Sequence, residues 1–431
     1  MNQTKKLFAK DFTLVVIGQI ISLFGNAAIR FALPLYLLNV TGSPALYGTV
    51  TACAIIPSIL LTPIGGVIAD RVNKRNIMVA LDFFTTLIVL TFSALMGSLN
   101  LVALLITVLM LLYGIAGAYQ PSVQASIPVL VNKEHFMAAN SVINTISSFS
   151  SLAGPVLGGI LYSTYGLYPV LYVCAACFFI SALMEIFIKI PYEKQPREAS
   201  LPRVLKKDFS ESFAFIKKEK PFIGKTLLTI CGINLFLSSM ILVGLPYLIT
   251  EVLDFPYALS NRLYGYASGA LAAGGLFGGI SAGIFSKKLS LRNSGNLLIT
   301  CTLFIFPMAA SIFFIASPMI NYGIITLCCF LIMIFSTLFT VQMLTLVQTE
   351  TPSHLIGKVI ALIFTLSTCA QPLGNALYGV LFDFFPGREY LVILFSGIAS
   401  LTIAVRAQTL FKSLVPAHLS PVRNSMPSKS E

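Results

Sequence analysis

Charge is scarce in this chain, so the few charged groups set among apolar residues are where chemistry has to be sought. Between Gly66 and Arg75 the sequence reads Gly-Val-Ile-Ala-Asp70-Arg71-Val-Asn-Lys74-Arg75. An acid and three bases at a helix edge can pair with a helix terminus or with distant acids, and such pairs break when two bodies rock. Glu134 and Glu350 are the candidate partners for Arg71 and Arg75. An ordinary basic loop explains the bases but not an acid placed four residues after a glycine. Arg30 follows a long apolar run. A cation inside a membrane span is a functional hypothesis by default, either contacting an anionic substrate or fixing an outer gate; the alternative is snorkelling to the outer headgroups. Asp82 is the candidate proton-coupling carboxyl, or else a partner of the nearby basic cluster. Glu185, four residues before Lys189, fits an i,i+4 surface pair.

Uncharged polar residues form stripes. Gln19, Ser22, Asn26 and Arg30 recur three or four apart, as do Tyr113, Gly117, Gln120 and Gln124, so each set shares one helix face. Asn234, Ser238 and Tyr247 form a third set, Gln342 and Thr345 a fourth. The candidate substrate cavity is Asn26, Arg30, Tyr113, Gln120, Gln124, Asn234, Ser238 and Gln342. Any one Gln or Asn could equally be a strut between helices.

The elements that hold these residues must be membrane spans. Of the 431 residues 56% are hydrophobic and 10% charged, with mean hydropathy +0.88, against roughly 25% charged in soluble domains. That excludes a soluble enzyme and makes the lipid bilayer the main partner. Uncharged runs extend from Phe83 to Asn132, His135 to Met184 and Asn293 to Thr349, each long enough for two spans of about 20 residues. Punctuation at Gly97-Ser-Leu-Asn100, Ser163-Thr-Tyr-Gly166 and Ser317-Pro318 divides them. The pattern predicts an all-α membrane protein of twelve transmembrane helices, near 12–38, 45–69, 77–97, 101–126, 138–163, 167–190, 226–249, 263–285, 297–316, 321–347, 359–384 and 390–410. With both termini cytoplasmic, 25 of the 28 Lys and Arg lie inside, Arg30, Arg262 and Arg388 being the remainder. That asymmetry fixes the expected orientation in the cell membrane. The net charge of +12 therefore marks a membrane side and implies no nucleic acid. The first apolar run is too long for a secretory signal.

The eight cysteines all fall in predicted spans, where thiols act as small hydrophobes. Cys174-Ala-Ala-Cys177 has redox spacing but no basic activator. The sequence contains no HExxH, no Walker A and no paired-carboxylate site in an aqueous loop, so an ATP-driven pump, a metal centre, a cofactor and an enzyme are all unexpected. A polar stretch separates six spans from six. The expected organisation is 1–190 as the first half, 191–225 as a cytoplasmic linker, 226–410 as the second half and 411–431 as a tail. Leu205, Phe209, Phe213 and Ile216 at helical spacing among basic residues describe an amphipathic helix on the anionic leaflet, or else a solvated loop. At an offset of 217 residues, Leu46-Tyr47-Gly48 falls on Leu263-Tyr264-Gly265, Gly66 on Gly283, and Ala153 and Pro155 on Ala370 and Pro372. One shift aligning several such positions is what a duplicated six-span unit predicts.

Gly66, Asp70, Arg71, Lys74 and Arg75 resemble the G-x-x-x-D-R-x-x-R/K-R signature of the major facilitator superfamily, with Asn73 where a glycine is usual. Gly154-Pro155-Val-Leu-Gly158-Gly159 resembles the G-P-x-x-G-G signature of its antiporter branches, with Ser150 in place of an earlier glycine. The opening Phe24-Gly25-Asn26 through Phe31-Ala32-Leu33-Pro34-Leu35-Tyr36 and Thr41-Gly42-Ser43-Pro44 is similar to the macrolide-efflux-like branch, which includes siderophore exporters. Asn26 stands where many members carry an acid, and the span-four arginine is absent at Leu111-Leu112-Tyr113-Gly114. The resemblance implies a major facilitator fold, with spans one, four, seven and ten lining a central path. It implies a monomer that exports an amphipathic small molecule, drug or macrolide-like, by alternating access against protons. Export of an endogenous metabolite such as a siderophore is the alternative.

Overall fold

The computed structural model describes residues 8–132, 135–190, 201–284, 294–352 and 355–418. Every regular element among them is helical. The first half consists of α1 (Lys10–Thr41), α2 (Pro44–Arg71), α3 (Lys74–Leu95), α4 (Leu101–Leu130), α5 (Phe136–Tyr165) and α6 (Leu167–Ile186). After α7 (Leu201–Lys218), one rod runs through α8 (Pro221–Ile233), a π-helical turn at Asn234–Ser238, α9 (Ser239–Tyr247) and a second π-helical turn at Leu248–Val252. The second half continues with α10 (Tyr257–Ile284), α11 (Ser294–Leu303), α12 (Ile305–Phe314), α13 (Pro318–Glu350), α14 (Ile356–Phe384) and α15 (Glu389–His418).

Eleven helical segments among the described residues are long and apolar enough to cross a membrane. The expected twelfth, α5, has 30 residues, about 45 Å at 1.5 Å per residue, but its first half is rich in Ser, Thr and Asn. That composition suits a helix facing a polar cavity. Helix boundaries follow local chemistry. The Ser43 hydroxyl caps Leu46 N at 3.3 Å with Pro44 opening α2, Asn73 caps α3 through Arg75 N at 3.1 Å, and Asn100 caps α4 through Ala103 N at 3.1 Å, which satisfies amide hydrogens that have no helical partner.

Small residues set the packing. A Cβ on Gly65 would stand 2.6 Å from Ala118 Cα, and one on Gly117 3.0 Å from the Ser58 carbonyl, so α2 and α4 lie backbone to backbone. Without a hydrophobic driving force between spans in lipid, such close approach is what holds helices together. The end of the bundle where α1 begins is here termed the basic end, and the opposite one the far end. The halves meet in two equivalent seams, α2 on α14 and α5 on α10. Gly48 faces Gly379 in the first and Gly265 faces Gly159 in the second. The 217-residue offset maps Gly48 onto Gly265 and α5 onto α14, so the repeat read from the sequence is a structural one.

Within the linker stretch, α7 buries Phe215 and Ile216 against Ile223, Val347, Val359 and Leu362. Phe213, 57% exposed, points away. Glu211 pairs with Lys358 and Lys220 with Glu350, each at 2.7 Å. The helix therefore docks on the second half along one edge instead of offering its whole apolar face to lipid. Residues 191–200, 285–293 and 419–431, parts of the expected linker, loop and tail, lie outside the described residues, as does Glu134.

Candidate functional site

A cavity of about 360 Å³ opens inside the first half. From α1 come Ser22, Leu23, Asn26, Ala27 and Arg30, and from α3 Asp82 and Thr85. Ile115, Ala116, Tyr119 and Gln120 of α4, Ser147, Ser150 and Ser151 of α5, and Phe178 of α6 complete the wall. Ser22, Asn26 and Arg30 of the α1 stripe thus face a polar cavity, and Gln19 lies outside its lining. Ser151 also lines a second cavity of about 450 Å³ between α5 and the α10 residues Ala272, Gly275, Leu276, Gly279 and Ile280. The first-half cavity therefore adjoins the cleft between the halves.

Two carboxyls sit at the basic-end side of this site. Asp82 is 3% exposed and accepts a hydrogen bond from the Ser22 hydroxyl at 3.1 Å. Glu185 is fully buried and accepts one from the Tyr119 phenol at 2.6 Å, and Gln19 Nε2 donates to that phenol at 2.7 Å. Asp82 Oδ2 and Glu185 Oε2 are buried without a partner. Among the described residues neither carboxyl forms an ion pair. The surface role expected for Glu185 is overturned. α6 ends at Ile186, which leaves Lys189 off the helix, and the Glu185 face turns into the bundle. Sequence reasoning also missed Tyr119. The signal available was Ser181 and Glu185 sharing one face of an otherwise apolar helix, where polar groups must find partners.

Arg30 lies toward the far end of the cavity. Its guanidinium stacks on the Tyr113 ring, 3.7 Å from the centroid, and donates from Nη2 to the Leu112 carbonyl at 3.3 Å. Tyr113 thus supports Arg30 without lining the cavity. Asn26 and Gln120 line it, but Gln124 is exposed and outside it. The spacing of the α4 stripe continues past the cavity toward the basic end. Asn234 and Ser238 fall in a π-helical turn. Asn234 donates to the Ser367 carbonyl at 2.9 Å and so ties this turn to α14, while Ser238 donates to Asn234 at 3.3 Å within the turn. Gln342 has both amide atoms buried and unpartnered.

The charged signature holds a helix end. Arg75 donates from Nε to the Glu185 carbonyl at 3.4 Å and from Nη2 to the Ile186 carbonyl, capping the last turn of α6, the turn that carries Glu185. Lys74 opens α3 beside it. Of the expected gate partners, Glu350 pairs with Lys220 and the Arg75 guanidinium is turned to α6. Asp70 and Arg71 end α2, their side chains outside the described set. A Cβ on Gly66 would meet nothing within 4 Å, whereas Gly65 beside it makes the close approach to α4.

The second signature packs α5 against α1 and against the other half. Gly154 and Gly158 lie against Ala27 and Ala28 of α1, while Gly159 faces Gly265 of α10, with a Cβ there 3.1 Å from Gly265 Cα. Beyond it, Asn39 donates to Asn261 Oδ1 at 2.8 Å and to the Tyr162 hydroxyl at 3.2 Å, the hydroxyls of Tyr162 and Tyr257 lie 3.1 Å apart, and Arg262 donates to Ser163 at 2.9 Å and Thr164 at 3.0 Å. Among the described residues, the hydrogen bonds joining the halves are all at this end.

With two repeated halves, a far-end seal and both signatures in place, comparison with known proteins decides the family. Residues 15–375 match the Major Facilitator Superfamily. The chain belongs to that superfamily. It is 22% identical over 399 residues to macrolide efflux protein A of Streptococcus pyogenes, covering 91% of this chain and 94% of that protein. It is 24% identical over 369 residues to the multidrug efflux pump Tap of Mycolicibacterium fortuitum, covering 83% and 86%. Its fold matches the nucleoside transporter NupG with TM-score 0.75 at 13% identity over 94% of this chain and all of that one. A bacterial homologue of the iron transporter ferroportin in its inward-facing state gives 0.69 at 19% identity, covering 94% and 98%. The protein is therefore a multi-pass membrane transporter of the major facilitator kind acting on small molecules, and not an enzyme.

Proposed function

We propose that this major facilitator exports an amphipathic small molecule from the cell in exchange for protons, with Asp82 and Glu185 as the proton carriers. The observation that carries the exchange is a pair of buried carboxyls, each with one oxygen lacking a hydrogen bond and neither in an ion pair among the described residues. Removing a carboxylate from water without a counter-ion is costly, and a proton supplies that counter-charge where the protein provides none. The basic end is cytoplasmic by the distribution of Lys and Arg, with both termini there. The structure then corresponds to a carrier sealed toward the outside. Cargo enters from the cytoplasm through the cleft between α5 and α10 and reaches the first-half cavity beside Ser151. Breaking the Asn39, Tyr257 and Arg262 contacts opens the far end. The efflux names of the two relatives support the outward direction.

The test uses inside-out vesicles containing the full chain and radiolabelled amphipathic compounds of each charge, anionic, neutral and cationic, with a macrolide, the compound class in the name of the streptococcal relative, among them. An acidic lumen should drive accumulation, and a protonophore should abolish it. Asp82→Asn and Glu185→Gln should each remove the response to the pH gradient while facilitated equilibration of the accumulated compound persists. Accumulation that ignores the protonophore would refute proton exchange.

A further inference from the structure

Among the described residues Arg30 has no counter-charge of its own. Its neighbours at helical spacing on α1 are Asn26, Ala27, Leu33 and Pro34, so no intrahelical acid answers it. Among the described residues it forms no ion pair, and its Nε is buried with no hydrogen-bond partner. What it has is a ring beneath it and one backbone carbonyl. Both orient a guanidinium but leave its charge unneutralised. The acid lining the same cavity, Asp82, is bound to Ser22, eight residues before Arg30 and so roughly 12 Å back along α1. The cavity is thus dipolar along the bundle, with carboxyls toward the basic end and the cation toward the far end. Around Arg30 the other cavity residues are donors or apolar groups. The Ser150 hydroxyl, Gln120 and Asn26 are polar, whereas Leu23, Ile115 and Phe178 present hydrocarbon.

We propose that the exported molecule is an amphipathic anion whose carboxylate, or an equivalent singly charged group, seats on Arg30. Its apolar body lies against Leu23, Ile115 and Phe178. This names the substrate class for the export reading above and rests on it. The cargo supplies the missing counter-ion, so the loaded site is neutral around Arg30 when the halves reorient, while the empty one carries an unpaired cation. Charge selection by one desolvated partner of this kind discriminates strongly, because an uncharged analogue leaves the guanidinium buried and unpaired.

The experiment measures fluorescence binding to the full chain in lipid nanodiscs with three probes sharing one ring system. Dansylglycine is anionic, dansylglycinamide neutral and dansylcadaverine cationic, and empty nanodiscs give the background. The wild-type protein should bind dansylglycine at least about tenfold more tightly than the amide. Arg30→Gln should erase that preference by removing the charge. Asn26→Asp should erase it with Arg30 still in place, by providing an acid one helical turn away. Arg30→Lys should retain part of it. Equal wild-type affinity for the three probes, or an anion preference that survives Arg30→Gln, overturns the inference. Saturable binding of the amide and the amine but not the anion rejects the anionic class and leaves the export reading standing. If none of the three saturates, both readings fall.

Discussion

The two glycine seams predict how the carrier can be pushed toward a form open at its far end. A Cβ at residue 265 would stand 2.8 Å from the Pro155 carbonyl oxygen, and one at residue 48 would stand 2.9 Å from Gly379 Cα. Both contacts are with backbone on the opposing half, which cannot rotate away as a side chain can. Gly265→Ala therefore adds overpacking of about 1–3 kcal/mol to the far-closed form only. The helix-propensity gain of about 1 kcal/mol applies to α10 in both forms and cancels from their ratio. The equilibrium should move toward far-end opening by a factor of about 5 to 150, taking 1.4 kcal/mol as tenfold. Nitroxides at Ser98 and Arg388, in far-end turns of the two halves, would report this by double electron–electron resonance with the native cysteines replaced. Gly265→Ala and Gly48→Ala should each add or enlarge a longer-distance population. Gly66→Ala, where no atom lies within 4 Å, should leave the distribution unchanged. Identical distributions in the wild type and both seam variants, or a Gly66→Ala shift as large as theirs, would refute the reasoning.

Tyr119→Phe removes the donor to Glu185 and the acceptor for Gln19, leaving buried groups unpaired at about 1–3 kcal/mol; thermal unfolding in detergent should show a lower midpoint, and an unchanged one would deny the network a structural role. Arg75→Gln should fray the last turn of α6 and cost about 1 kcal/mol, read as faster amide exchange near Glu185, with Arg75→Lys intermediate; exchange as slow as in the wild type contradicts the capping role. Asp70→Asn should express normally but abolish proton-driven accumulation in inside-out vesicles, and full activity there rejects a gating role for the acid.

What the sequence makes legible is whatever lipid enforces. Spans, punctuation and the duplicated glycines can be read because backbone in hydrocarbon must be helical and closely packed helices need small residues. The α1 stripe could be read for the same reason, since four polar groups in an apolar helix share a face only if something polar lies opposite. Glu185 was not legible, because its role depends on α6 stopping at Ile186, one turn short of making Lys189 a partner. Asn234 and Ser238 were not legible either. A π-helical turn changes which residues share a face, and the spacing rule assumes an α-helix throughout. Gln124 shows the limit of a stripe, since periodicity gives a face but not where the cavity along it ends.

One helix carries contacts from every part of the mechanism. Along α1, Gln19 and Ser22 reach the phenol and carboxyl of the acid cluster, Arg30 holds the open cationic position, and Asn39 closes the far end on Asn261 and Tyr162. Gly154 and Gly158 of α5 pack against the same helix at Ala27 and Ala28, between the cation and the residues that hold the acids. A tilt of α1 that separates Asn39 from Asn261 must also shift Ser22 against Asp82 and Gln19 against Tyr119, because residues 19 to 39 belong to one helix. The protonation of the acids and the state of the far-end gate are then two loads on one lever, and by linkage each biases the other by the same free energy. On that argument, replacing Asn39 by Ala, far from either carboxyl, should alter the proton dependence of transport as well as the gate. A variant whose gate opens with its pH response intact would show that α1 bends between Arg30 and Asn39, at Pro34, and does not act as a single rod.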